Sequence, residues 1–173
     1  MRIELTQCII RSWRLDDAPA LAQSANNRNV WLNLRDRMPH PYTLADAEAY
    51  LRHATTADAE ETFCIEVDGQ VAGAIGLRGK EDVHRFTAEL GYWLAEPFWG
   101  RGIATEAVRA FVEERLKATS LHRIFAEVFS SNPASVRVLE KAGFEFEGRL
   151  RKNVVKDGQI LDSLVYARVR ERP

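Results

Sequence analysis

"WGRGIATEA", Trp99–Ala107, sets two glycines around an arginine and then turns at once into helix formers. Glycine is costly to order, so a pair of them ahead of a helix points to a backbone that something approaches closely. Gly100 to Thr105 fall at a predicted helix start. There the first N–H groups lack partners and the helix dipole is positive. Such an end suits a phosphate or pyrophosphate, and Arg101 adds a mobile positive charge. The loop is not a P-loop, because no Gly-Lys-Ser/Thr closes it. Nor is it a dinucleotide fingerprint: Thr105 stands where a third glycine or alanine belongs, and no parallel βαβ unit precedes it.

The flanks read as alternating strands and helices. Upstream, "FTAELGYWLA" is a strand, and its interior Gly91 marks a bulge or a close backbone approach. Before it, Phe63, Ile65 and Val67 lead to Asp68-Gly69, a two-residue turn, and a strand returns through Val71 and Ile75. Downstream, a helix runs from about Ile103 to Ala118, with Ala104, Ala107, Val108, Phe111 and Val112 on its buried side. "HRIFAEVF" is a strand. In "SNPASVRVLEKAGF" Asn132 fits the N-cap, Pro133 the first helical position and Gly143 the left-handed residue past the end. A hairpin turning at Asp157-Gly158 closes the chain. The opening holds one strand over Ile3–Trp13, a short helix with Asp16 as N-cap, a short helix and ordered loop ending at Pro39 and Pro41, and a helix capped by Thr43 with Leu44, Ala47, Tyr50 and Leu51 as its stripe. The expected architecture is α/β (α+β): a mixed, mostly antiparallel sheet of six to seven strands flanked by helices.

The 173 residues suit one domain with a sizeable core. Apolar residues make up 46% and charged residues 28%, a globular balance, and the net charge of −1 gives no basic field for nucleic acid. Cys8 and Cys64 lack a CxxC neighbour and read as free thiols in a reduced compartment. The start has no apolar leader and no long apolar run follows, so a cytoplasmic protein without membrane insertion is expected. His40, His53, His84 and His122 are scattered without ligand spacing, so no metal site is expected.

"ELGYWLAEPFWGRGIATEAV" followed by "NPASVRVLEKAGFEFEG" resembles the GCN5-related N-acetyltransferase (GNAT) superfamily, and within it the branch of ribosomal-protein alanine/serine N-terminal acetyltransferases. The resemblance extends to "IIRSWRLDDAPAL" and "DGQILDSLVYARVR", and implies one N-acetyltransferase domain over 1–173. It implies a splayed central strand pair, Glu89–Leu94 and Arg123–Phe129, with the pantetheine arm of acetyl-CoA in the opening. That arm would bond to the backbone near Tyr92, Trp93 and Leu94. The loop Trp99, Gly100, Arg101, Gly102, Ile103, Ala104 and Thr105 would cradle the pyrophosphate. Trp99 departs from the family's usual Gln/Arg. Asn132 leads the second helix beside the cofactor, and Lys141 lies where it would approach the nucleotide phosphates.

The implied reaction is direct attack of a neutral amine on the thioester. An α-amine with a pKa of roughly 8 needs only a modest base. Glu89 is the candidate base, on the strand leading to the loop and near Phe86, Leu90 and Tyr92. The resemblance implies that Ser135 serves the leaving thiol. The tyrosine that many relatives use instead is Leu139 here, and a strand carboxylate of the branch is Val154, with Asp162 a substitute nearby. Glu106 reads as support for the helix start. The acceptor would enter on the opposite side, past Trp31, Arg35 and Tyr42. It is a protein or peptide N-terminus, or else a small amine such as a polyamine, an amino acid or an aminoglycoside. A catalytically silent acyl-CoA-binding module is the alternative from another class, and a homodimer stays open.

Overall fold

Phe63, Ile65 and Val67 point to one side of a strand and Cys64 to the other, and this alternation divides the apolar residues into two layers. The computed structural model describes residues 1–56 and 62–170. Its strands are β1 (Arg2–Glu4), β2 (Ile9–Arg11), β3 (Thr62–Val67), β4 (Gln70–Gly79), β5 (Thr87–Leu94), β6 (Arg123–Phe129), β7 (Glu145–Lys156) and β8 (Gln159–Val169). The helices are α1 (Ala18–Ala25), α2 (Arg28–Trp31), α3 (Leu44–Ala54), α4 (Ile103–Ala118) and α5 (Pro133–Lys141). The strands form one mixed sheet in the order β1-β2-β3-β4-β5-β6-β8-β7. Phe63, Ile65 and Val67 pack with Ile103, Val108, Phe111 and Leu139 of α4 and α5. Cys64, Val71 and Ala74 pack with Trp13, Leu21 and Leu51 under α1 and α3.

The sheet parts in its middle. β5 and β6 are its parallel neighbours, and they pair only at Thr87–Arg123, Ala88–Ile124 and Glu89–Phe125. Beyond Glu89, β5 stays with β4 as far as Leu94–Gly73, while β6 stays with β8 as far as Phe129–Ser163. Each strand follows its outer partner, and a cleft opens between them. The β4–β5 register runs unbroken through Gly76–Gly91, so the bulge expected at Gly91 is absent. Loss of the inner pairing opens the cleft.

Four other expectations change. The opening strand is two short strands, β1 and β2, so the sheet has eight strands rather than six or seven. The Glu106 carboxylate, in the first turn of α4, accepts the N–H groups of Thr6 at 2.9 Å and Gln7 at 3.1 Å and so holds the turn between them. Asp16 is not the cap of the first helix, since α1 has Asp17 at that position. Leu44 is exposed, outside the apolar stripe of α3. The cap itself is as expected, with Thr43 and Asp46 forming a reciprocal capping box.

Arg11 and Asp17 form a buried pair with two parallel bonds of 2.8 Å, and the Arg11 Nε donates to Glu66 at 2.6 Å. Burial alone would favour the neutral acid. The Arg11 bonds and the N–H of Arg14 outweigh it and hold the Asp17 carboxyl below its ordinary value.

Candidate active site

The glycine loop owes its glycines to conformation. Gly100 and Gly102 have φ of +74° and +84°, a region that residues with a Cβ rarely adopt. Space is not the constraint, because a Cβ at Gly100 would meet nothing within 4 Å and one at Gly102 only the Gln7 side chain at 3.5 Å. Gly102 is the N-cap of α4, and among the described residues no side chain caps that end. The one acid of the first turn, Glu106, is turned to Thr6 and Gln7. Its amides therefore stand ready for an external anion. The adjoining groove, of about 340 Å³, is lined by Gly102, Thr105, Arg109 and Lys141 among others. Arg101 lies against the Phe98 ring. Ile103 is fully buried and Ala104 is half-buried.

Trp99 has a specific partner. Its indole Nε1 donates to the Leu94 carbonyl at 2.6 Å and ties the loop to the end of β5. Leu94 therefore offers an extended ligand its N–H but not a free carbonyl. The ladder also narrows the backbone donors. Ala95 donates to Ala72 and Lys80 to the Thr87 carbonyl. By antiparallel alternation, the Trp93 backbone turns to β4, whereas those of Tyr92 and Leu94 turn to the side that β6 leaves. The expectation for Trp93 is corrected accordingly.

Tyr92 and Ser135 meet across the cleft. The Tyr92 hydroxyl lies 2.7 Å from the Ser135 Oγ. Burial pushes the Tyr92 phenol up to about 12, against a smaller opposing effect of the Ser135 bond. Asn132 caps α5, its Oδ1 accepting the Ser135 N–H at 3.1 Å. The Ser135 hydroxyl is thus released from capping duty. Leu139 is fully buried in the core. The sequence reading missed this Tyr92–Ser135 pair. Alternation along β5 is the signal for it, since Leu90, Tyr92 and Leu94 all join the layer under α4 and α5.

Glu89 faces the other side, with Trp93. One of its oxygens is bonded by Arg35 and the other by Lys80 at 3.2 Å. The apolar surround expected for it is absent: Leu90 and Tyr92 point to the opposite layer, and Phe86 stacks against His122 and Arg85. Arg35 and Glu89 are nevertheless brought together. Between Glu89 and Trp93, Gly91 opposes Gly76, and a Cβ at Gly91 would meet nothing within 4 Å. The sheet there has a bare floor.

Trp31 stacks on His40, and the buried Lys156 holds its Nζ 3.6 Å from the Trp31 ring centroid and 2.6 Å from Asp36. The α2 region is thereby pinned to the β7–β8 hairpin, and Asn27 and Asn29 pin it to Glu96 beside the glycine loop. Tyr42 does not line this side. It is buried with the residues under α1 and α3, and burial pushes its phenol up to about 12. Asp162 is engaged within the β7–β8 hairpin, where the Lys152 N–H and Arg149 hold its carboxyl below the ordinary range.

Parted strands, an uncapped helix start with cations beside it, and a bare floor on the far side come together in one α/β fold. The family model described as an acetyltransferase (GNAT) domain matches residues 7–145, and the chain belongs to this family. YoaA, an uncharacterized N-acetyltransferase of Bacillus subtilis (strain 168), is 38% identical over 103 residues, 60% of this chain and 58% of YoaA. YjcK of the same strain is 49% identical over 81 residues, 47% of this chain and 45% of YjcK. The chain thus spans about half the length of these two relatives. Spermidine N(1)-acetyltransferase of Escherichia coli (strain K12) is 26% identical over 157 residues, 90% of this chain and 82% of that enzyme. The structure of RimL, a ribosomal L7/L12 alpha-N-protein acetyltransferase, in complex with coenzyme A matches with a TM-score of 0.86 over 98% of both chains at 21% identity. That last likeness is one of fold.

Proposed function

We propose that this chain transfers acetyl from acetyl-CoA to a primary amine, and that the amine is the N-terminus of a protein or peptide. The observation that carries the reading is the two-sided cleft: uncapped amides and Ser135 on the α4–α5 side, Glu89 and the Gly76–Gly91 floor on the other. The residues fit the cosubstrate. The uncapped amides of α4 with Arg109 and Lys141 of the groove, which also carries Glu106 and Glu113, suit its phosphates, and the N–H groups of Tyr92 and Leu94 suit an extended amide-bearing arm. Bound acetyl-CoA supplies a thioester whose carbonyl carbon gains a bond to the amine nitrogen and loses its bond to sulfur. The β5 backbone, rigid within the ladder, offers N–H groups to the carbonyl oxygen. Ser135 donates a hydrogen bond to the departing sulfur. Glu89 orients the amine, whose proton passes to water, after Arg35 gives up its oxygen.

The acceptor side argues against a polycation. Several of its carboxylates are already paired: Asp36 with Lys156, Asp157 with Arg28, Asp162 with Arg149, and Glu89 with Arg35 and Lys80, while Glu127 of β6 is exposed and Glu96 is held by Asn27 and Asn29. The likeness to a spermidine acetyltransferase keeps the small-amine reading in play as the alternative. Gly91→Val tests the two-sided arrangement. A β-branched residue suits the strand, so the fold holds. The KM for a peptide acceptor is expected to rise about tenfold or more, with the Kd for acetyl-CoA unchanged, because two lost methyl-sized spaces on the floor cost roughly 1.4 kcal/mol or more. An unchanged peptide KM would remove the floor from the acceptor site.

A further inference from the structure

We infer that Tyr92 is a positioning residue for acetyl transfer: its phenolic O–H donates to the Ser135 Oγ and so aims the serine's own proton at the leaving sulfur. The inference rests on the proposed role of Ser135. The two oxygens are 2.7 Å apart, on β5 and on the first turn of α5, on the two sides of the cleft opening. At such a contact only one of the two hydrogens lies between the oxygens, and the other must point elsewhere. A phenol is the stronger donor and an alkyl hydroxyl the better acceptor, so the Tyr92 hydrogen lies between them. The alternative acceptor for that hydrogen, the Ser135 carbonyl, is farther away at 3.3 Å. Asn132 already accepts the Ser135 N–H, so the serine oxygen has no capping bond to pull it aside. The serine hydrogen is left to point outward.

Tyr92 moves no proton itself. Burial pushes its phenol up to about 12, which disfavours a buried phenolate. Its effect is on direction, and chains of hydroxyls polarised in this way also strengthen the outer hydrogen bond. Leu139 fills the helix position with hydrocarbon, so Tyr92 is the phenol that the cleft does contain beside Ser135.

The test compares Tyr92→Phe, Ser135→Ala and the double variant. Tyr92→Phe is expected to lower kcat about five- to tenfold, the effect of one hydrogen bond, with acetyl-CoA Kd and Tm held. The double variant is expected to be no slower than Ser135→Ala. A second readout needs no turnover. In the binary complex with CoA, followed by thiolate absorbance, the thiol titrates lower in the wild type than in either single variant. A slow Ser135→Ala beside an unaffected Tyr92→Phe would overturn the Tyr92 inference and leave the serine's role intact. Additive losses in the double variant, or a loss confined to Kd, would overturn it as well. Wild-type rates in Ser135→Ala would overturn the role of Ser135 and the inference together.

Discussion

Gly102→Glu is expected to weaken acetyl-CoA binding about 30- to 100-fold, read by calorimetry, with the helical signal retained. Two effects add. A carboxylate would stand at the N-cap of α4, where the first-turn amides lack a side-chain cap. Like charges about 4 Å apart repel by roughly 1–4 kcal/mol in water or at a protein surface. The left-handed φ of +84° adds about 1–2 kcal/mol of strain for any residue with a Cβ. Gly102→Ala separates the two. Its Cβ meets only the Gln7 side chain at ordinary contact distance, so it carries the strain without the charge. A Kd for Gly102→Glu within threefold of that for Gly102→Ala would remove the anion from the helix start.

Asp17→Ala is expected to produce the largest loss of stability, about 3 kcal/mol, or a Tm lower by about 6–12 °C. Removing one member of a buried pair leaves an uncompensated charge, typically a loss of about 3–5 kcal/mol. The lower figure applies because Glu66 still accepts from the Arg11 Nε. The pH dependence has a definite sign. The folded pKa of Asp17 is depressed, so its contribution is fully present above the unfolded value of about 3.9 and is lost as pH falls through the lower folded value. Denaturant titrations from pH 6 down to pH 2 are expected to show wild type and Asp17→Asn converging as the medium becomes acidic. Parallel curves would show that folding leaves the Asp17 pKa unshifted.

Features set by neighbours in the chain were legible in the sequence. Asn132 and Thr43 are caps because their side chains reach amides a few residues on, and Gly143 sits at φ +84° past α5. The Asp68-Gly69 turn and the Gly102 helix start belong to the same group. The parting of β5 and β6 was expected, but from Gly91, whereas its cause lies in pairing with outer strands distant in sequence. Partners across the chain were hidden. Glu106 clamps Thr6 and Gln7, about a hundred residues away. Glu89 meets Arg35, and Lys156 meets Asp36 and Trp31. Tyr42 looked like a loop aromatic, and only the packing of α1 against α3 turns it inward. Trp99 replaces the usual polar residue of the loop, and its indole bond to Leu94 gives that replacement a structural purpose.

An acceptor screen is the most direct test of the central claim. CoA thiol release from acetyl-CoA is followed with a panel of N-terminal peptides, spermidine, amino acids and an aminoglycoside, and products are mapped by mass spectrometry. The account predicts acceptor-dependent release, greatest with a peptide, and an acetyl group on its α-amine. Greater turnover with spermidine would shift the acceptor to the small-amine class. Tight binding of acetyl-CoA with no acceptor-dependent release across the panel would contradict the account and leave a silent acyl-CoA-binding module.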